Sequence, residues 1–216
     1  MVVRQMKIIR AVEFTFLFVA IPFIVFHQRV VLADYLLCVL TGLACLCAWL
    51  LYKEGKLEKQ WYKAKSISLV DLKPILACFG LLVVSALFVM YFWPQLLSFN
   101  TTLVMGTSGI LVFLLYPLFS VLPQEIIYRT FLFHRYKLLF PSKYARMFLS
   151  SLVFSLAHII YGSLLVLVLS LLVGLLFSYR YFISGNTALV IIEHSMWGSF
   201  LFLLNLGSNF TLSQAL

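Results

Sequence analysis

The stretch Leu164-Leu165-Val166-Leu167-Val168-Leu169-Ser170-Leu171-Leu172-Val173-Gly174-Leu175-Leu176-Phe177-Ser178-Tyr179 carries no charge and stops at Arg180. Wound as a helix at about 1.5 Å per residue, it reaches most of the way across a hydrocarbon layer about 30 Å thick. Six further apolar runs, at 11–26, 31–52, 73–93, 108–133, 146–161 and 188–206, have similar length and leave only short gaps. Of the 216 residues, 63% are hydrophobic and 11% charged, against about 25% charged in a soluble domain. So few charges cannot coat a soluble core. The fold expected is an all-α polytopic membrane protein with about seven transmembrane helices, folded as one transmembrane domain over 1–216. The apolar content also excludes disorder, and no alternating ten-residue segments mark a membrane barrel.

The net charge of +9 is explained by where the basic residues fall. With Arg4, Lys7 and Arg10 on the cytoplasmic side, all of the Lys and Arg residues except Arg29 lie on the inner side of the seven spans. That asymmetry is the positive-inside pattern of a cell (inner) membrane protein with its N-terminus cytoplasmic and its C-terminus outside. No nucleic-acid partner is implied, and the lipid bilayer itself is the expected surroundings. The first span is read as an uncleaved helix, since no small-x-small cleavage site follows it. Segment 53–68, with five lysines and Trp61-Tyr62, reads as a cytoplasmic interfacial connector against anionic headgroups. Cys38, Cys45, Cys47 and Cys78 lie within spans two and three and are read as small apolar fillers. Pro117 and Pro123 predict a kinked fourth helix.

Ionisable groups inside a membrane span cost about 2.5–3.5 kcal/mol each on insertion scales, so they mark function first. In Pro123-Gln124-Glu125-Ile126-Ile127-Tyr128-Arg129, Glu125 and Arg129 sit one turn apart on one face, close enough to pair. Phe154 and His158 share the same spacing on the fifth span, and Glu193-His194 lies inside the seventh. Counted from the inner basic edge of each span, Glu125 and His158 are both about 18 Å deep, and His194 about 12–20 Å. One carboxylate and two imidazoles on three helices can therefore meet near mid-membrane. Glu193 points about 100° away from its neighbour His194 and is expected to reach a different partner. Glu13 and Asp34 are read as interfacial, and His134 and Arg135 as inner-surface anchors.

Together these residues resemble the CPBP intramembrane proteases, which include the type II CAAX prenyl endopeptidases and bacteriocin-processing relatives. That family's pattern is Glu-Glu-x-x-x-Arg, Phe-x-x-x-His and His-x-x-x-Asn on successive helices. Here it is met by Gln124-Glu125-x-x-x-Arg129, Phe154-x-x-x-His158 and His194-x-x-x-Gly198, within a core of about 103–206. The resemblance implies an endopeptidase acting on a protein or peptide substrate in the membrane, with catalytic residues at Gln124, Glu125, Arg129, His158 and His194. It implies that the first glutamate and the second-motif histidine activate a water while the third-motif histidine and asparagine hold the oxyanion.

Two departures bear on that chemistry. Gln124 stands where the family has its first glutamate, and an amide is not a general base. Gly198 stands where the family has asparagine, which removes a donor. Glu125 could carry the base role, the chain could be a pseudoprotease that serves as a membrane scaffold or immunity protein, or Gln124 could be an introduced change. No cofactor is expected. Zinc held by Glu125, His158 and His194 would suit ligand chemistry without any His-Glu-x-x-His run to support it. A b-type haem on the two imidazoles would leave Glu125 and Arg129 without a role. A transporter would require related halves, and none are evident.

Overall fold

The computed structural model describes residues 2–55, 67–95, 97, 99 and 107–204. Most of the interfacial segment expected at 53–68 and both ends of the expected core lie outside the described residues. Regular structure among the described residues is helical, apart from one isolated bridge between Phe99 and Leu204.

Among the described residues, seven helical rods follow one another: α1 (Val3–His27), α2 (Arg29–Lys53), α3 (Leu69–Phe92), α4 (107–135), α5 (Lys143–Tyr161), α6 (Leu164–Ser184) and α7 (Thr187–Leu203). Five of them, α1, α2, α3, α5 and α6, are long and apolar enough to cross a membrane, and α7 is a shorter apolar helix. The fourth expected span behaves differently from a simple kinked rod. It stays helical from 107 to 135 but contains two wide π-helical stretches, Pro117–Val121 and Ile126–Phe131. A proline removes one N–H from the ladder and crowds the turn before it, and a π turn absorbs that defect while keeping the remaining bonds. α1 uses the same device at Phe16–Ala20, just before Pro22.

Tight, locally encoded turns set the order of the rods. Ser142, Ser163 and Asn186 accept hydrogen bonds from Ala145, Val166 and Ala188 at the starts of α5, α6 and α7, the usual way to satisfy the free amides of a first turn. Gly162 (φ +63°) and Gly185 (φ +57°) close the helices before α6 and α7 in the left-handed region that glycine enters without strain. α3 starts in a reciprocal cap, with Ser68 bonded to the Asp71 carboxylate.

Many large apolar side chains lie on the outer surface, and several polar and charged ones are buried within. Leu81, Val84, Leu87 and Phe88 on α3, and Leu164, Leu165, Val168 and Leu172 on α6, are exposed, as lipid-facing positions require. The interior is centred on the second half of α4, where Ile127, Tyr128, Phe131 and Leu132 are buried among Phe18 of α1, Cys47 and Leu51 of α2, Phe154 of α5 and Phe177 of α6. α5 and α6 approach closely because small residues line their seam. Ser151, Ser150 and Ser178 form a chain of hydroxyl contacts at 3.3 and 3.0 Å, and Ser150 also donates to the Tyr128 carbonyl at 2.7 Å. With no hydrophobic drive between helices in lipid, such packing and bonding is what holds them together.

At one end of the bundle, Glu13 and Glu54 face Arg10 and Arg135. Arg135 donates to both oxygens of Glu13 at 2.9 and 2.8 Å and also bonds Glu54. Arg10 donates to Glu54 at 2.9 Å, and the Tyr136 hydroxyl donates to Glu13 at 3.0 Å. Glu13 and Arg135, read from the sequence as separate surface groups, are one network tying α1, α2 and α4.

Candidate active site

Glu125 lies at the junction of the short helical piece Leu122–Glu125 and the second π stretch of α4, and it is fully buried. Its Oε1 receives two cations or donors: Arg129 Nη1 at 3.3 Å, as the i, i+4 spacing predicts, and His194 Nδ1 at 2.7 Å from α7. Its Oε2 is buried with no hydrogen-bond partner among the described residues. An ionised carboxylate can only accept, so Nδ1 of His194 carries a proton in this contact.

Arg129, also without solvent exposure, lies over the Phe154 ring at 4.3 Å and donates to the Gly174 carbonyl at 3.4 Å. Stacking, one carbonyl and the ion pair with Glu125 replace part of its hydration, while Nε and Nη1 have no hydrogen-bond partner among the described residues. Phe154 is thus more than a motif marker. Its ring also contacts His158 (centroids 4.6 Å apart) and His194 (5.7 Å), so it is the platform on which the cation and both imidazoles rest. Gly174 is the matching feature on α6: a Cβ there would come 3.1 Å from the Phe154 ring and 3.4 Å from the Ser151 backbone.

His158 ends α5, where its Nδ1 lies 2.7 Å from the Phe154 carbonyl oxygen. A carbonyl can only accept, so here too Nδ1 holds the proton and Nε2 carries the lone pair. His194 is stacked on Phe177 (centroids 4.6 Å apart). Gln124 donates from Nε2 to Ser120 Oγ at 2.9 Å, while its Oε1 is buried without a partner among the described residues.

These groups surround one cavity of about 510 Å³, lined by Tyr116, Gln124, His158, Tyr161, His194 and Gly198 among mostly apolar neighbours. Leu37 of α2 and Leu115 and Phe119 of α4 line it too and are about half exposed. Of the five residues singled out by sequence, Gln124, His158 and His194 line the cavity, whereas Glu125 and Arg129 sit behind its wall. Glu125 acts on the cavity only through His194. Glu193 diverges as expected, bonding Arg180 of α6 through both oxygens at 2.9 and 3.1 Å. Among the described residues, no three His, Cys, Asp or Glu side chains are grouped as metal ligands, and Glu125, His158 and His194 are not arranged as a ligand triad.

Sequence reasoning missed Tyr116 and Phe177. A signal for Tyr116 existed, because Tyr116, Ser120 and Gln124 recur at four-residue spacing along one side of α4. Phe177 carries no such mark in a helix that is apolar on every side.

The family model described as type II CAAX prenyl endopeptidase Rce1-like matches residues 106–200, a stretch that contains Tyr116, Gln124, Glu125, Arg129, His158 and His194. No curated protein and no solved structure matches the chain.

Proposed function

From the premise that residues 106–200 are an Rce1-like type II CAAX prenyl endopeptidase domain, we propose that this chain is an intramembrane endopeptidase in which Glu125 and His194 together supply the general base. The observation that carries the reading is the buried 2.7 Å contact between Glu125 Oε1 and His194 Nδ1, on an imidazole that lines the cavity. A carboxylate on Nδ1 fixes the tautomer, aims Nε2 and stabilises the imidazolium that forms when a proton arrives. Arg129 stands 3.3 Å from the same Glu125 oxygen and holds that carboxylate in place.

The reaction follows from those groups. A water in the cavity gives a proton to His194 Nε2 as its oxygen bonds to the carbonyl carbon of the scissile peptide, and the carbonyl oxygen becomes an oxyanion. The C–N bond then breaks, the proton on His194 passes to the leaving nitrogen, and the carbonyl re-forms as a carboxylic acid. His158 and Gln124 line the same cavity and can orient the water. The departure from the family pattern at Gln124 is thereby compensated by a base that reaches the cavity from α7.

The substrate we propose is a membrane-associated or lipid-modified protein whose extended segment enters from the bilayer. Supporting this are the apolar cavity lining and the half-exposed Leu37, Leu115 and Phe119 at its rim. The single transmembrane domain is proposed to cross the cell (inner) membrane seven times, N-terminus cytoplasmic, with α4 and α7 completing the five longer spans. The test is cleavage of a mixed peptide library, including prenylated peptides, by the purified chain beside Glu125→Ala. Products from the unchanged chain alone are expected. Products from neither would favour a non-catalytic scaffold or immunity protein of the same fold.

A further inference from the structure

We infer that the hydroxyl of Tyr116 is the donor that holds the oxyanion, and that Gly198 is glycine so that this hydroxyl can reach it. The inference rests on the proteolytic reading above and deepens it by one residue.

The first reason is a shortage of donors. Both histidines commit their Nδ1 protons, one to Glu125 and one to the Phe154 carbonyl. In the proposed reaction His194 Nε2 takes the proton of the water, so it cannot donate to a negatively charged oxygen before that transfer. A tetrahedral intermediate in a mostly apolar cavity needs a preorganised donor, because little water is there to supply one.

The second reason is position. Tyr116 lines the cavity, with its ring centroid 6.4 Å from that of His194 and 5.2 Å from that of Phe202. Its hydroxyl makes no hydrogen bond to another described residue. The other donors in that wall are placed less well. Trp197 also lines the cavity, but its indole N–H is buried without a partner among the described residues, and Tyr161 packs on the His158 side, 5.9 Å from that ring.

The third reason is mutual exclusion. Gly198 follows His194 by one turn of α7, so both present to the same side. A Cβ at 198 would fall 2.0 Å from Tyr116 Oη and 2.6 Å from Cε1 and Cζ. No side chain at 198 can coexist with the phenol in this position. The phenol therefore fills the volume from which any residue-198 side chain would grow, and a donor from α4 replaces a donor from α7. During water attack the Tyr116 O–H donates a hydrogen bond to the oxygen that gains the electron pair. It keeps its own proton, and the water's proton still travels through His194 to the leaving nitrogen.

The experiment uses the full chain in lipid nanodiscs and a peptide that the library identifies. Tyr116→Phe, which keeps the ring and its packing, is expected to lower kcat about 100- to 1,000-fold with KM within about threefold and the thermal midpoint unchanged. Gly198→Asn alone should lower the thermal midpoint by forcing the phenol out. The pair Tyr116→Ala with Gly198→Asn should cleave at least about tenfold faster than Tyr116→Ala, because the amide then supplies the donor from the other helix. A Tyr116→Phe protein that keeps kcat within about threefold, while Glu125→Gln is inactive, would overturn this inference and leave the Glu125–His194 base standing. A loss that falls on Tyr161→Phe or Trp197→Phe instead would overturn it in the same way. Absence of cleavage by the unchanged chain would overturn both together.

Discussion

Glu125 and Glu193 are both fully buried carboxylates on helices of the bundle, and each faces an arginine, yet their surroundings differ in kind. Glu193 meets Arg180 in a two-pronged pair that uses both of its oxygens. Glu125 places a single oxygen between a guanidinium and an imidazole and leaves the other unpartnered among the described residues. A pair that fixes two helices gains by satisfying every lone pair, because each unsatisfied polar atom in a low dielectric weakens it. Leaving one oxygen unmatched next to a histidine that lines a cavity lowers stability and supplies a charge that can respond when the imidazole is protonated. The α6–α7 pair is thus built to hold, and under the proposed function the α4–α7 pair is the one that reacts.

The contrast can be broken by exchanging roles. His194→Gln should show the largest effect, lowering cleavage about 100- to 10,000-fold while the protein still folds, measured as product per folded molecule. Glu193→Gln should do the reverse. It strands the buried Arg180 and should lower stability by about 3–5 kcal/mol, seen as a lower midpoint in thermal or denaturant unfolding, with cleavage per folded molecule retained. Gln124→Glu sharpens the comparison, since it sets a second carboxylate beside Glu125 and puts a charge in place of the amide that bonds Ser120. The expected result is a stability loss of about 2–3 kcal/mol and no gain in rate. A gain in rate would move the base from His194 to position 124. The smallest effect is expected for Gly174→Ala, whose methyl meets Phe154 at 3.1 Å. A cost of about 1–2 kcal/mol and a modest fall in rate should appear in parallel, because Phe154 supports both imidazoles.

Much of this is legible in the sequence wherever one helix suffices. Charge depletion marks the membrane fold, and i, i+4 spacing pairs Glu125 with Arg129 and places Phe154 beside His158. The 100° step on a helix separates Glu193 from His194. Which helices meet is a different matter, because no local pattern encodes it. The bond from His194 to Glu125 joins positions 69 residues apart, and the exclusion between Gly198 and Tyr116 is likewise tertiary. The prolines announce a defect in α4 without saying that two π turns absorb it. Along the chain Glu13 has only Arg10 one turn before it, whereas its partners Arg135 and Tyr136 arrive from α4 and the turn that follows it.

The central claim, that one buried carboxylate reacts and the other holds, is tested most directly by single-turnover cleavage of one identified peptide by Glu125→Gln and Glu193→Gln side by side in nanodiscs, each rate divided by the folded fraction. The prediction is a rate for Glu125→Gln lower than that of the unchanged chain by at least about 100-fold, with Glu193→Gln within about threefold of it. Equal rates for the two variants would contradict the account.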